Sequence, residues 1–144
     1  MPVFKGHYRR PIDDTNRIAL PEAMRDVSPS DRYTLTRGLE EGLFLYPAER
    51  WAEVEEEISA LNVYDETVRD FCRRVLMWAY EVETDADGRL ELPAALAEFA
   101  GLSGEGIVLG AFDHVEIWDP SRLEAYLSDR SDDYPTLVEQ VMRT

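Results

Sequence analysis

The stretches "DDTNRIALP" at residues 13–21 and "DADGRLELP" at residues 85–93 repeat one pattern 72 positions apart. Each begins with an Asp, reaches an Arg four positions later, and continues through an apolar residue to a Leu-Pro pair. A structural turn needs only one copy of its motif. The second copy therefore indicates a duplicated fold, a surface presented twice to a repeating partner, or both.

The repeat extends over most of the chain. Apolar pairs of similar size, such as Ile18 with Leu90 and Leu45 with Ile117, fall between identical pairs at the same spacing. An ordered series of this kind indicates tandem duplication. The identical pairs include Tyr8 with Tyr80, Asp13 with Asp85, Arg17 with Arg89, Leu20 with Leu92, Pro21 with Pro93, Ala23 with Ala95, Gly38 with Gly110, and Arg50 with Arg122.

Each half has the same predicted order of elements. Short alternating apolar runs flank an Asn or Gly turn, which is typical of a hairpin. The Pro that follows begins a short helix, and Gly101 ends the second copy of that helix. Further strands are predicted in "YTLTRG" (33–38), "LFLYP" (43–47), "GIVLG" (106–110) and "VEIWD" (115–119), and closing helices in "PAERWAEVEEEISAL" (47–61) and "DPSRLEAYL" (119–127).

A helix is predicted between the two halves. Its apolar residues follow a three-four spacing, and we expect this stripe to pack across the paired halves. The stripe consists of Val68, Phe71, Cys72, Val75, Leu76 and Ala79. The predicted organisation is a first half at 5–61, a connecting helix at 62–79, a second half at 80–128, and a C-terminal tail or docking helix at 129–144.

The composition is that of a globular protein without a membrane or secretory segment. The chain has 144 residues and is 44% hydrophobic, which suffices for a buried core. No stretch approaches the roughly 20 apolar residues of a membrane span, and the N-terminus lacks a secretory apolar segment. The single Cys72 cannot form an internal disulfide. We therefore expect a cytoplasmic protein.

The net charge of −15 argues against a nucleic-acid partner, because phosphates attract basic surfaces. The chain also contains almost no lysine, which is typical of proteins from a salt-rich cytoplasm or of proteins encoded by a GC-rich genome. The charge is unevenly distributed, however. Residues 1–10 contain Lys5, Arg9 and Arg10 and no acid, whereas acids cluster in "EVEEEISA" (53–60) and "SDRSDD" (128–133). A basic edge on an acidic body is compatible with DNA binding.

Gly88 defines the turn geometry of the second motif. A three-residue loop at 86–88 with Gly88 left-handed, rather than a two-residue turn, places Asp85 opposite Arg89. Such a pair stabilises a hairpin by about 0.2–1 kcal/mol, and the carboxylate would also fix where the guanidinium points. Asn16 holds the equivalent position in the first copy and tolerates the left-handed conformation. Each Asp–Arg pair either only stabilises its hairpin or orients a functional arginine.

An enzyme is the first alternative class. Carboxylates in the two motifs are available for acid–base or metal chemistry, but no nucleophile–base pair, phosphate-binding Gly loop or zinc spacing accompanies them. His7 and His114 are isolated, and Cys72 on the apolar face of a helix is most simply a core residue. We predict that the chain is not an enzyme and has no metal or cofactor.

The surrounding residues make a resemblance specific. "FKGHY" at 4–8 precedes the first Asp-x-x-x-Arg, and "LTRGLEEGLFLYPAERW" at 35–51 follows it. Together with the second Asp-x-x-x-Arg, these blocks resemble the MraZ family of bacterial transcriptional regulators over residues 4–127. One copy of the motif is a weak signal, whereas two copies with the middle block are a strong one.

The resemblance implies an α+β fold, a swapped-hairpin AbrB-like β-barrel formed by two tandem pseudo-twofold halves with flanking helices. It also implies a nucleoid-associated ring oligomer that binds promoter direct repeats of double-stranded DNA upstream of the division and cell-wall gene cluster. The DNA-contacting motif of the family falls on residues 13–17 and 85–89. Arg17 and Arg89 are therefore the expected DNA contacts.

Within this motif, Asp13 and Asp85 are expected to orient the arginines, and Asn16 and Gly88 to form the turns. Thr15 and Asn16 stand where the family has Lys and Gly, which removes one phosphate contact. We expect neighbouring basic residues, Arg9 or Arg10, to compensate. The predicted DNA contacts beyond the motif are thus Lys5, Arg9 and Arg10, of which Arg10 stands where the family has His.

The alternative function is a ring-forming protein-interaction scaffold with little DNA binding, because AbrB-like barrels also serve as dimerisation platforms. The two functions are separable. Removal of Arg17 and Arg89 should abolish DNA binding and leave ring assembly intact.

Overall fold

The computed structural model describes residues 3–129 and 133–142. The described residues form eight strands and six helices, and helices follow the strand pairs. In chain order the elements are β1 (His7–Pro11), β2 (Arg17–Ala19), α1 (Glu22–Arg25), β3 (Arg32–Arg37), β4 (Leu43–Pro47), α2 (Ala48–Ser59), α3 (Glu66–Leu76), β5 (Tyr80–Glu83), β6 (Arg89–Glu91), α4 (Ala94–Ala100), β7 (Glu105–Gly110), β8 (Val115–Trp118), α5 (Pro120–Ser128) and α6 (Tyr134–Met142).

Strand pairing crosses between the two halves. One antiparallel sheet has the order β1-β7-β8-β4-β3-β5, and β2 pairs with β6 in a second, two-stranded sheet. The first strand of each half pairs with a strand of the other half: β1 pairs with β7, and β5 pairs with β3. Equivalent strands meet at the centre, where β4 pairs with β8 and β2 with β6. This is the predicted α+β, swapped-hairpin arrangement of two tandem halves.

The core is shared by the two halves. Ile18 and Leu90 lie directly opposite each other in the β2–β6 pair, and their exposed fractions are only 1% and 0%. Burial of one such side chain stabilises a fold by about 1.5–3 kcal/mol. The repeated apolar positions of the sequence are therefore the positions at which a single core forms. Other buried equivalent pairs are Leu20 with Leu92, Met24 with Leu96, Leu43 with Val115, and Leu45 with Ile117.

Local sequence explains the helix ends. Pro21 and Pro93 hold the extended backbone that leads into α1 and α4. Gly101 ends α4 in the left-handed conformation with φ of 65°, as the sequence predicted. The N-terminus of α3 is capped by Asp65, whose side chain accepts a hydrogen bond from the backbone N–H of Thr67 at 2.8 Å.

The packing of α3 differs from the prediction. No residue of α3 is buried, and Phe71 and Leu76 remain 47% and 49% exposed. Two residues of the stripe, Phe71 and Val75, line one side of a groove of about 720 Å³, and residues of α2, β3 and β4 line the rest. Cys72 is half-buried, so the prediction that it is a core residue is wrong. An amphipathic pattern identifies an apolar face but does not identify what covers it, and the barrel core is already filled by its own strands.

The C-terminal segment forms helix α6, which was predicted as either a docking helix or a frayed end. Its apolar side chains are not buried, since Leu137 and Val138 are 42% and 41% exposed. Residues 130–132, which precede α6 in the predicted linker, lie outside the described part of the chain.

Candidate nucleic-acid interface

Both Asp-x-x-x-Arg motifs fold into the same three-residue loop. The backbone N–H of Asp13 donates to the Arg17 carbonyl at 3.0 Å, and that of Asp85 donates to the Arg89 carbonyl at 2.9 Å. Each Asp is thus opposite the Arg of its own motif in the backbone ladder, as predicted. The left-handed residue expected in each loop is also present, with φ of 62° at Asn16 and 76° at Gly88.

One carboxylate oxygen of each Asp organises its own loop. In the first loop Asp13 Oδ1 accepts hydrogen bonds from the backbone N–H groups of Thr15 and Arg17, at 2.9 and 3.0 Å. In the second, Asp85 Oδ1 accepts from the Arg89 N–H at 3.0 Å in the same way. These bonds satisfy loop donors that have no partner in a strand.

The second carboxylate oxygen reaches the other hairpin. Arg17 Nη1 lies 3.2 Å from Asp85 Oδ2, and Arg89 Nη1 lies 3.4 Å from Asp13 Oδ2. The expectation that each Asp pairs with the guanidinium of its own motif is therefore wrong: the ion pairs are crossed. The cause is the β2–β6 pairing, which sets each loop beside the strand of the other half.

The two arginines share one face of the β2–β6 pair. Arg17 lies opposite Glu91 and Arg89 opposite Ala19, while the Ile18–Leu90 pair between them points into the core. The side chains of Arg17 and Arg89 are 34% and 48% exposed. Two guanidiniums therefore stand on one outer face, each held by a carboxylate of the opposite hairpin.

The carboxylates of both motifs remain ionised at neutral pH. The hydrogen bond from the Thr15 hydroxyl, followed by that from the Arg17 backbone N–H, lowers the pKa of Asp13 below its ordinary value. The hydrogen bond from the Arg89 backbone N–H has the main lowering effect on the pKa of Asp85. Both groups therefore keep the negative charge that orients the crossed arginines.

The contacts recorded for the other predicted basic residues are with groups outside the two motifs. Arg9 forms an ion pair with Glu105 of β7, and the Arg10 guanidinium lies 5.2 Å from the Tyr8 ring centroid. Lys5 lies beyond the far end of β1, close to Gly110, whereas the motif follows the near end of β1. The structure thus brings together the four motif residues and leaves Lys5 at a distance.

Arg25 is a basic residue at the motif that the sequence analysis missed. Its guanidinium covers Gly88, where an added Cβ would come within 2.6 Å of Arg25 Cζ. Its Nε donates to the Leu20 carbonyl at 3.0 Å. The sequence contains one indication of this contact. Gly88 stands where the first motif has Asn16, and the missing side chain leaves room for another residue.

His114 is not isolated in the folded chain. Its Nδ1 lies 2.8 Å from a carboxylate oxygen of Asp113, its Nε2 lies 3.3 Å from Glu116, and its ring centroid is 4.4 Å from that of Phe44. The ring is thus a satisfied, partly buried residue that joins β8 and β4. It is remote in sequence from both hairpin loops and belongs to the scaffold.

Antiparallel sheets in which strands of two halves of one chain pair with each other define the swapped-hairpin AbrB-like class. The model of the MraZ protein family matches the chain twice, at residues 3–74 and 75–139. The chain belongs to the MraZ family.

Curated relatives agree over nearly the full length. The chain is 37% identical to the transcriptional regulator MraZ of Moorella thermoacetica over 140 residues, which covers 97% of both chains. It is 33% identical to that of Acetivibrio thermocellus, with 96% of each chain covered, and 35% identical to that of Thermomicrobium roseum, with 96% and 97% covered. Transcriptional regulation is not an enzymatic function, which confirms the prediction that the chain is not an enzyme.

A membrane-crossing helix is not found among residues 3–129 and 133–142, because none of their helices combines sufficient length with sufficient apolar character.

Proposed function

We propose that this protein is a sequence-specific DNA-binding transcriptional regulator that uses Arg17 and Arg89 as its principal DNA contacts. The observation that supports this function is the pair of crossed ion pairs, which hold two exposed guanidiniums on one outer face. Guanidiniums oriented by carboxylates are suited to bidentate recognition of guanine edges or of phosphates. Arg9, Arg10 and Lys5 are proposed as further contacts along the N-terminal edge.

The DNA partner we propose is a set of direct repeats in the promoter upstream of the division and cell-wall gene cluster, with the protein assembled as a ring on the nucleoid. A ring built by head-to-tail contacts presents the same hairpin pair at each step in the same direction, which matches direct repeats rather than a palindrome. Simultaneous contacts raise the overall affinity by roughly two to four orders of magnitude. Multivalency therefore offsets the repulsion between DNA and a chain of net charge −15.

The test is a double substitution of the motif arginines. We expect Arg17→Ala/Arg89→Ala to weaken specific binding about 30-fold or more, because each guanidinium contact with DNA contributes about 1–3 kcal/mol. Fluorescence anisotropy would compare the DNA upstream of the protein's own gene with a scrambled duplex, over a range of KCl concentrations. Sedimentation velocity would show whether the variant still assembles like the wild type.

The matched control is Arg69→Ala/Arg73→Ala, which removes the same charge from exposed positions of α3. If this control assembles like the wild type and still weakens binding as much as the motif variant, only the total charge matters and the proposed site is wrong. If the wild type shows no preference for the upstream DNA at any salt concentration, the regulator function itself is wrong.

The second candidate function is a protein-interaction scaffold. The apolar groove between α2, α3 and the β3–β4 strands favours it, because a groove of about 720 Å³ with half-exposed Phe71 at its edge suits a protein partner. This function requires assembly without specific DNA binding, so the same titration distinguishes the two.

A further inference from the structure

The two hairpins satisfy one equivalent carbonyl group by different means. In the first motif, Asn16 Nδ2 donates to the Leu92 carbonyl at 2.7 Å. In the second motif, Gly88 has no side chain, and the carbonyl of Leu20, the residue equivalent to Leu92, accepts instead from Arg25 Nε at 3.0 Å. A neutral amide in one half is thus replaced by a cationic guanidinium in the other.

The Arg25 side chain depends on Gly88 for its position. Gly88 is buried, and an added Cβ would lie 2.6 Å from Arg25 Cζ and 2.7 Å from Nε, so any side chain would displace the guanidinium. The first motif has no such covering cation, because the position equivalent to Arg25 is Ala97. The additional cation is therefore confined to the second hairpin.

The charges around Arg17 and Arg89 also make the second hairpin the more basic of the two. Glu91 lies opposite Arg17 on the outer face, whereas the uncharged Ala19 lies opposite Arg89. In the described part of the chain, Arg25 has no carboxylate oxygen within 4.0 Å of its nitrogen atoms, unlike Arg17 and Arg89. The first hairpin thus has an extra acid, and the second has an extra cation without a counterion.

We infer that Arg25 is a third DNA-contacting residue, which binds a phosphate beside the site of Arg89 and makes the second hairpin the stronger half of the interface. This inference rests on the proposed DNA-binding function. The Nε bond to Leu20 leaves the Nη groups of Arg25 as donors for a phosphate oxygen. An unequal pair of hairpins gives the protein–DNA complex a fixed direction, which two identical hairpins related by a twofold axis would not give.

The test measures how the DNA affinity of Arg25 variants depends on salt. We expect Arg25→Gln to reduce the magnitude of the log K against log [KCl] slope by about 0.9 for each DNA-bound protomer, the value for one phosphate contact on duplex DNA. Arg25→Lys keeps the charge and is expected to keep the slope. Among the motif residues, Arg89→Ala is expected to weaken binding more than Arg17→Ala.

A second variant separates a binding role from a structural one. Gly88→Asn/Arg25→Ala rebuilds in the second half the arrangement that the first half already has, with Asn16 and Ala97. Asn tolerates a positive φ, so we expect this variant to keep the wild-type Tm and assembly while the magnitude of its slope falls by about 0.9 for each DNA-bound protomer.

Arg122→Gln is the matched control. The Arg122 guanidinium packs over Gly101, where an added Cβ would lie 2.7 Å from Cζ, and its Nη1 donates to the Phe99 carbonyl at 2.8 Å. It therefore reproduces the packing of Arg25 at the end of α4, and its loss is expected to leave the slope at the wild-type value.

The measurements distinguish a failure of this inference from a failure of the proposed function. If the wild type binds specifically and requires Arg17 and Arg89, but Gly88→Asn/Arg25→Ala folds and keeps the wild-type slope, then Arg25 has no DNA contact and this inference alone is wrong. If the wild type itself does not prefer the upstream DNA, the proposed function is wrong together with this inference.

Discussion

Asp13 and Asp85 each use their two carboxylate oxygens for different contacts. One oxygen accepts N–H groups of its own loop, and the other faces the guanidinium of the opposite hairpin. An Asn would keep the loop bonds but lose the charge that holds the arginine. A Glu would carry its carboxylate one carbon further from the loop N–H groups. The two contacts together therefore select Asp.

The cost of a side chain at Gly88 is predicted to have two parts. Gly88 and Gly104 both have positive φ, at 76° and 81°, so Ala at either position adds backbone strain of about 1–2 kcal/mol. At Gly104 an added Cβ has no heavy atom within 4 Å, whereas at Gly88 it would collide with the Arg25 guanidinium. We expect Gly88→Ala to lower the free energy of unfolding more than Gly104→Ala does.

Urea denaturation of the two variants and of the wild type measures this difference. Equal losses of stability would mean that Arg25 moves aside freely and that the contact with Gly88 contributes nothing to the fold.

At the scale of the elements, the His114 cluster joins β8, the β7–β8 loop and α2. Arg50 of α2 donates to Asp113 at 2.8 Å, and the His114 ring lies between Asp113 and Glu116. Burial alone would lower the pKa of His114, but the hydrogen bonds to Glu116 and Asp113 outweigh it and raise the pKa overall. Burial raises the pKa of Asp113 and Glu116, and their bonds to His114 outweigh it and lower both.

These shifts predict how stability depends on pH. Because the folded pKa of His114 is raised, its contribution is fully present below the unfolded value of 6.5 and is lost as pH rises through the folded pKa. The carboxylate contributions are present above the unfolded values of 3.8 and 4.5 and are lost as pH falls through the folded values. The cluster therefore stabilises most between about pH 4.5 and 6.5.

We expect His114→Gln to cost about 1.5–3 kcal/mol of unfolding free energy near pH 5.5, the range for hydrogen bonds with charged groups, and less at pH 8. Chemical denaturation across this pH range checks the prediction, with the exposed His7→Gln as control. A difference between wild type and His114→Gln that stays constant with pH would contradict it.

The elements were predictable from local pattern, whereas their contacts were not. The Pro-to-helix starts, the Gly101 stop and the left-handed Asn16 and Gly88 all follow from the conformations that these residue types allow. The crossed ion pairs and the position of Arg25 were missed because they depend on which strand of the other half lies alongside. Alternation of apolar residues gives the inward face of a strand but not its neighbour.

At the scale of the whole molecule, α3 has an apolar face that remains largely uncovered. If a neighbouring copy covers this face in the proposed ring, Phe71→Ser/Leu76→Ser is expected to shift the protein toward smaller species. The loss of monomer stability should stay below about 3 kcal/mol, because nearly half of each side chain is already exposed.

Sedimentation velocity at several protein concentrations measures the size distribution. Tyr64→Ser is the control, since Tyr64 precedes α3 and is 90% exposed. A Phe71→Ser/Leu76→Ser variant that sediments like the wild type would remove α3 from the assembly contacts.

The pairing of β1 with β7 also has a consequence for synthesis on the ribosome. His7 pairs with Leu109, so the first strand to leave the exit tunnel finds its partner only after about 100 further residues are made. At the usual 5–20 residues per second, this wait lasts roughly 5–20 s. During that time the nascent N-terminus has an unpaired strand edge, and no shortened product that ends before β7 can close the barrel.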